Sequence, residues 1–287
     1  MHDASSNRWV GVDAATPVDR DDLTLVTFNI WFDDYFAEER YRAIADLLRR
    51  EMPDVMVFQE ITRAALNVLL AQPWIREHYY LAAVVGDSVG NYGMLMLSRL
   101  PTANVTYTRL PTRLSRGFLQ AQFTINGSPL VVCSVHLDSG KRSARLRARQ
   151  LRRLFLALRS ADDAVVLGDF NMRDHENARI VAPYRDVWPM LRPNDEGFTE
   201  DTSINLMRFD SKNKDRQVRF DRVLLKGSRW AAAGIELLGT QPISSSHPRV
   251  FPSDHFGVMC RLVRHSAAPT PARPRRPSMM GWLRRHS

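Results

Sequence analysis

The chain has 287 residues, 44% of them hydrophobic and 25% charged, with a formal net charge of +9. That is an ordinary globular composition, long enough for a substantial core, and it excludes a chain too polar to fold. No stretch approaches the roughly 20 apolar residues that a membrane-spanning helix needs.

In chain order, residues 1–22 read as a loose polar leader, with no apolar signal core in Met1–Ser6. Leu23–Ile30 reads as a strand. Glu38–Arg50 carries Tyr41, Ile44, Ala45 and Leu48, the stripe of an amphipathic helix, and Pro53 stops it. Val55–Phe58 begins a buried strand, and Ala64–Leu70 a helix. Strands follow at Gly93–Leu97, Phe118–Ile125 and Pro129–Val135, the last two joined by the turn signal Asn126-Gly127. Ser143–Arg159 is a second long helix, and Ala164–Leu167, Phe220–Leu225 and Gly257–Val263 are further strands. Strands outnumber helices and several neighbours read as hairpins, so the expected fold class is α/β with mixed sheets covered by helices.

A single domain over residues 23–264 is expected, followed at 265–287 by a basic, proline-rich disordered tail. Five arginines and no acidic residue lie in Ser266–Ser287, leaving +4 of the net charge on residues 1–265. Both parts suit a polyanionic partner. The apolar and basic end, Met279–Arg285, could contact a membrane or a protein, although an unstructured tail is the simpler reading. Cys133 and Cys260 each lie in an apolar run, which predicts buried thiols rather than a disulfide and a reducing, cytoplasmic setting.

Four apolar runs end in groups that a packed core would reject: Thr27–Trp31 with Asn29, Phe58–Ile61 with Glu60, Val166–Asn171 with Asp169 and Asn171, and Phe251–Val258 with Asp254 and His255. Leaving such groups buried and unpaired costs roughly a few kcal/mol each. Strands ending in this way predict one shared site at a sheet edge. Oxygen ligands without clustered thiolates suit a hard cation such as Mg²⁺, and hence metal-assisted chemistry on phosphate.

Asn29, Gln59-Glu60, His136, Gly168–Asn171 and Ser253–His255 stand in the order found in the endonuclease/exonuclease/phosphatase superfamily, which includes deoxyribonuclease I. The resemblance covers most of Leu23–Val263. Ser134–Ser139, Asn171–Asp174, Asp186–Trp188, Arg219–Arg222 and Phe251–His255 resemble the Mg²⁺-dependent 5′-tyrosyl-DNA phosphodiesterases of that superfamily. The fold implied is a four-layer sandwich, two packed mixed sheets flanked by helices. Two stretches depart from the family pattern: Trp31-Phe32 replaces an acidic residue and a glycine, and Glu200 stands near a position where tryptophan is common. Glu200 would repel phosphates if it faces the groove.

The resemblance also implies roles. Glu60 becomes the principal Mg²⁺ ligand, with Mn²⁺ able to substitute, and Asn29 and Asp254 are further metal-site residues. Asp169 orients and deprotonates water, and Asn171 holds the phosphate or nucleophile. Alternation along an extended segment would bring those two to one side. His255 stabilises charge growing on phosphate oxygens, Asp221 keeps it cationic, and His136 is the second imidazole. Arg116, Ser139 and Arg173 resemble substrate contacts. Arg142, Arg145, Arg149 and Arg152 recur on one face of the second long helix, either as a solvated face or as a phosphate track.

The resulting reading is a monomeric Mg²⁺-dependent phosphodiesterase acting on blocked DNA 5′ ends. An abasic-site or nonspecific nuclease, a phosphatase or a phospholipase of the same superfamily is the alternative within enzymes. A nucleic-acid-binding module with a dead site is the alternative outside them, and it leaves Glu60, Asp169, Asn171 and His255 without a purpose.

Overall fold

The computed structural model describes residues 1–6, 8–10, 16–86, 89–102 and 104–265. The tail expected at 265–287 lies outside the described residues beyond His265. Along the chain come β1 (His2–Asp3), β2 (Arg8–Trp9), β3 (Asp22–Asn29), α1 (Ala37–Glu51), β4 (Val55–Ile61), α2 (Arg63–Leu70), α3 (Pro73–His78), β5 (Tyr80–Val84) and β6 (Gly93–Ser98). Next are β7 (Asn104–Arg109), β8 (Gly117–Ile125), β9 (Ser128–His136), α4 (Ala144–Ala157), β10 (Ala164–Asp169), β11 (Arg185–Asp186) and α5 (Val187–Leu191). The last are β12 (Glu200–Asp201), α6 (Leu206–Lys212), β13 (Gln217–Val218), β14 (Asp221–Lys226), β15 (Trp230–Leu238) and β16 (Gly257–Arg264).

Two mixed sheets result, ordered β15-β16-β3-β4-β6-β5 and β11-β14-β10-β9-β8-β7. In each, one central pair is parallel, β3 with β4 and β9 with β10, and its neighbours are antiparallel. Side-chain alternation assigns the faces. Leu23, Leu25, Val55 and Val57 meet Leu119, Val132, Val165, Leu167 and Val223 between the sheets. Val26, Phe28, Met56 and Phe58 point outward onto Tyr41, Ile44, Ala45 and Leu48 of α1. Cys133, Val166 and Leu224 do the same on the other side, against Leu151 and Leu154 of α4. Both cysteines are buried and free.

Besides the two-residue strands β1, β2, β11, β12 and β13, three strands and three helices escape the periodicity. The β15 sequence is alanine-rich and broken by a bulge at Ala232/Gly234, so it shows no alternation. Edge strands β5 and β7 bury little, and α3, α5 and α6 are too short to display a stripe. The leader is not loose along its described part. His2–Asp3 pairs with Arg8–Trp9, and Val18 bridges Ile125, beside the bond from the Arg20 N–H to Asn126 Oδ1.

Candidate active site

The register gathers the polar residues at one end of both sheets. Asp169, the last residue of β10, stands between His136 at the end of β9 and Asp221 at the start of β14. Asn29 ends β3 in the facing sheet, and its Nδ2 donates to Asp169 Oδ2 across 3.1 Å. Gly168 makes the approach possible: at φ +147° a Cβ would lie 2.0 Å from the Val135 carbonyl oxygen, so no side chain fits there.

Glu60 reaches the same place by a different device. Simple alternation from Val55 and Val57 would send Gln59 between the sheets and Glu60 out toward the helices. Gln59 does go inward, to Thr27 and to Ser134 of the opposite sheet. At Glu60 the register slips and φ is +63°, so a bulge turns the carboxylate into the cleft. There it accepts the Phe32 N–H at 3.2 Å.

Asp169 and Asn171 are brought together by a local turn and not by alternation. Asn171 has φ +51°, and its backbone N–H and Nδ2 donate to the two Asp169 carboxylate oxygens at 2.8 and 2.9 Å. Its Nδ2 also donates to the Leu137 carbonyl. Asp169 thus accepts three protein hydrogen bonds, and His136 Nε2 lies 3.3 Å from Oδ2. Burial opposes its charge, but the nearby His136, the cationic His255 and the Asn171 N–H hold it well below the ordinary carboxylate range.

The two imidazoles are tuned in opposite directions. Burial, then Arg116, push His136 down to about 4, so it is neutral. Arg116 Nη1 lies 3.1 Å from His136 Nδ1, and a guanidinium only donates, so the ring proton sits on Nε2. That buried Nε2 has no aligned protein partner. Burial opposes the charge of His255 as well, but Asp221 Oδ2, 2.8 Å from Nδ1, and Asp254 raise it well above the ordinary value. His255 is therefore an imidazolium whose Nδ1–H is committed to Asp221.

A hard cation suits this donor set. The Glu60 carboxylate is nearly buried, makes no ion pair to a lysine or arginine among the described residues and has His136 Nε2 3.9 Å away; burial and Asp254 push its acid up to about 7. A divalent ion held there would supply further countercharge. Asp169, Asp221 and His255 also present ligand atoms within 4.8 Å of one another. Two of the three are joined directly, His255 Nδ1 lying 2.8 Å from Asp221 Oδ2. Both ends of the Asn29 amide are engaged, Nδ2 by Asp169 and Oδ1 by the Trp31 N–H. Asp254 pairs with Arg208 at 3.0 Å.

The cleft has a volume of about 560 Å³ and is lined by Glu60, Asp169, Asn171, Asp254 and His255 at its base. Ser139 and Arg173 also line it. Arg116 does not: it is buried behind His136, bonded to the Tyr92 hydroxyl and stacked at 5.4 Å on the Tyr92 ring. Glu200 is buried rather than facing the groove as a free charge. Arg208 binds it at 2.6 Å and Arg216 at 3.0 Å. Together with Lys212 and Lys214 these arginines form a basic wall. Its sequence signal was the alternation Lys212, Lys214, Arg216, which by itself describes any solvated loop. Trp31 and Phe32 form another wall, and Phe32 stacks on Tyr92 at 4.7 Å.

Two packed mixed sheets, with carboxylates, amides and imidazoles at their shared edge beneath a basic wall, define a phosphodiester hydrolase of the deoxyribonuclease I-like class. Residues 26–255 match the Endonuclease/Exonuclease/phosphatase family, and the chain belongs to it. Tyrosyl-DNA phosphodiesterase 2 of Gallus gallus is 28% identical over 257 residues, 84% of this chain and 66% of that protein. Its Danio rerio counterpart is 29% identical over 266 residues, 86% and 68% of the two chains. The chain therefore spans about two thirds of the length of these relatives.

Solved structures agree in fold. The D. rerio TDP2 complexed with single strand DNA product superposes with a TM-score of 0.75 at 24% identity, over 85% of this chain and 99% of that one. The human Nocturnin catalytic domain with bound sulfate anion gives 0.64 at 17% identity, over 86% and 97%. Among the described residues no helix is long and apolar enough to cross a membrane.

Proposed function

We propose that this chain is a Mg²⁺-dependent phosphodiesterase that removes tyrosyl or related adducts from DNA 5′ ends. The observation that carries the reading is the opposed pair at the cleft base. Glu60, a carboxylate that makes no ion pair to a lysine or arginine among the described residues, faces a fixed Asp169–Asn171 turn and a cationic His255. The named activity of the Gallus gallus and Danio rerio relatives supports the substrate.

Glu60, with Asn29 and Asp254 beside it, would hold the Mg²⁺, for which Mn²⁺ can substitute. When bound, the ion neutralises charge on the phosphate oxygens. The chain's own groups do the rest. Asp169, held as an anion, accepts a hydrogen bond from the attacking water and takes up its proton. Asn171 keeps that carboxylate oriented through its backbone and side-chain N–H groups, and the neutral His136 sets its Nε2–H beside the same carboxylate. His255 directs its remaining Nε2–H at the oxygens that gain charge. A tyrosyl phenol, with a pKa near 10, leaves with little help from an acid. Ser139 and Arg173 bind the substrate, whereas Arg116 positions His136.

A single chain carries every group named, which supports action as a monomer. Two buried free thiols support a reducing, cytoplasmic setting. The test is a competition on one labelled oligonucleotide bearing a 5′-phosphotyrosyl end, with and without EDTA. Release of 5′-phosphate DNA that stops in EDTA is expected. Internal nicking as the faster reaction, or full activity in EDTA, would overturn the proposal.

A further inference from the structure

The outward face of α4 carries charge that the cleft chemistry does not use. From Ser139 to Ala161 the chain has eight lysines or arginines and no acidic residue. Arg147 is the buried member: it binds both Glu176 oxygens and the carbonyls of Asp138 and Gly140, so it is structural. Arg142, Arg145, Arg149 and Arg152 are exposed, and none makes an ion pair among the described residues. Arg145, Arg149 and Arg152 fall within an arc of about 60° on the helix. Like charges spaced i, i+4 destabilise a helix, and a merely solvated face ordinarily intersperses acids.

This face is continuous with the cleft. Ser139, Gly140 and Lys141 line the cleft, and α4 starts three residues later at Ala144 and leads away. From Arg142 to Arg152 the track is about 15 Å long at the rise of a helix. We propose that it is a second nucleic-acid contact, holding the sugar–phosphate backbone of the DNA strand several nucleotides beyond the end seated in the cleft. The proposal rests on DNA being the substrate and adds where the rest of the strand runs. Guanidinium groups directed at phosphates position a strand without reading its bases, so the contact is sequence-independent. Arginine is suited to it by its bidentate fork.

The experiment compares unmodified 5′-phosphorylated single strands of about 4 and about 15 nucleotides, a range that brackets common single-strand site sizes. Binding is read by fluorescence anisotropy in EDTA over a salt series. The variant replaces Arg142, Arg145, Arg149 and Arg152 by Gln, and a second variant replaces them by Lys. Wild type should bind the long strand about 10-fold or more tightly than the short one. The Gln variant should lose that increment, with its salt slope reduced by about 0.7 per lost phosphate contact. The Lys variant should retain much of the increment. Affinity for the short strand and hydrolysis of bis(p-nitrophenyl) phosphate should not change in either variant, which shows the fold and cleft intact.

An unchanged slope and unchanged long-strand affinity in the Gln variant would overturn the proposal. So would loss of binding to phosphatidylserine-containing vesicles with DNA binding intact, since the face would then serve a membrane. A wild type that binds the long strand through these arginines, yet releases no tyrosyl adduct, sinks the proposed activity and leaves the track standing.

Discussion

Arg40 shows how much of the site depends on a residue that touches no substrate. Its guanidinium is fully buried, with no carboxylate bonded to it among the described residues. Instead it donates to the carbonyls of Ile30, Trp31, Asp33, Tyr35 and Pro252. It also lies 4.8 Å over the Trp31 ring, supporting that residue at φ +56°. One side chain therefore ties the aromatic wall to the segment leading into Ser253–His255. Arg40→Met would take this donor from five carbonyls, of which the Trp31 carbonyl keeps the Tyr41 hydroxyl, and leaving buried partners of a charged group unpaired costs about 3 kcal/mol or more. Chemical denaturation should show that loss, and turnover should fall in the fraction that stays folded. Arg40→Lys, which supplies fewer donors, should lie between. A Met variant with wild-type stability and turnover would mean the carbonyls have other partners.

At the scale of elements, the site is a meeting of strand ends, and β14 contributes the relay. Asp221 opens that strand opposite Asp169, with its backbone N–H fixed by the Thr199 hydroxyl at 3.1 Å. From there its carboxylate holds His255 protonated. Asp221→Asn keeps the shape and removes the countercharge, so the pKa of His255 should fall. If the imidazolium is the active form, the alkaline limb of the kcat/KM profile then moves to lower pH. Turnover at neutral pH should drop by about 10². A pH–rate profile of wild type and variant checks both, and an unmoved alkaline limb would remove His255 from the chemistry.

On the scale of the whole molecule, Glu60 makes folding stability sensitive to pH and to cations. Its acid rises from 4.5 to about 7 on folding. The folded state thus favours the proton. Stability from this group is fully present below about 4.5 and is lost as pH rises through about 7. The displacement corresponds to about 3 kcal/mol as an upper bound. Metal-free protein should therefore lose melting temperature between pH 5 and 8 by several degrees, at roughly 2–4 °C per kcal/mol for a chain of this size. Glu60→Gln should abolish that loss. At pH 8, Mg²⁺ should raise the melting temperature of wild type but not of Glu60→Gln. Calorimetry in EDTA and in Mg²⁺ reads all three, and equal stabilisation of both proteins by Mg²⁺ would place the ion elsewhere.

Periodicity and chemistry in the sequence determined the layers and most of the site. Tyr41, Ile44, Ala45 and Leu48 needed only helical spacing to mark the face of α1, and the alternate apolar positions Leu23 and Leu25 marked β3 as a strand. Asn29, Glu60, Asp169 and His255 were legible because apolar runs do not end in such groups without a partner, whereas Asp221 was legible only through the family resemblance. Tertiary structure decided what local rules could not. The bulge at Glu60 reverses the direction that alternation assigns to its carboxylate, and the turn at Asn171 replaces strand alternation as the cause of its pairing with Asp169. Arg116 lies behind His136, and Glu200 is neutralised by Arg208 and Arg216, because both depend on contacts between segments far apart in sequence. Local sequence sets which faces are apolar and which ends are polar. The sign and strength of each charge follow from burial and from its neighbours, and those exist only once the two sheets have closed on one another.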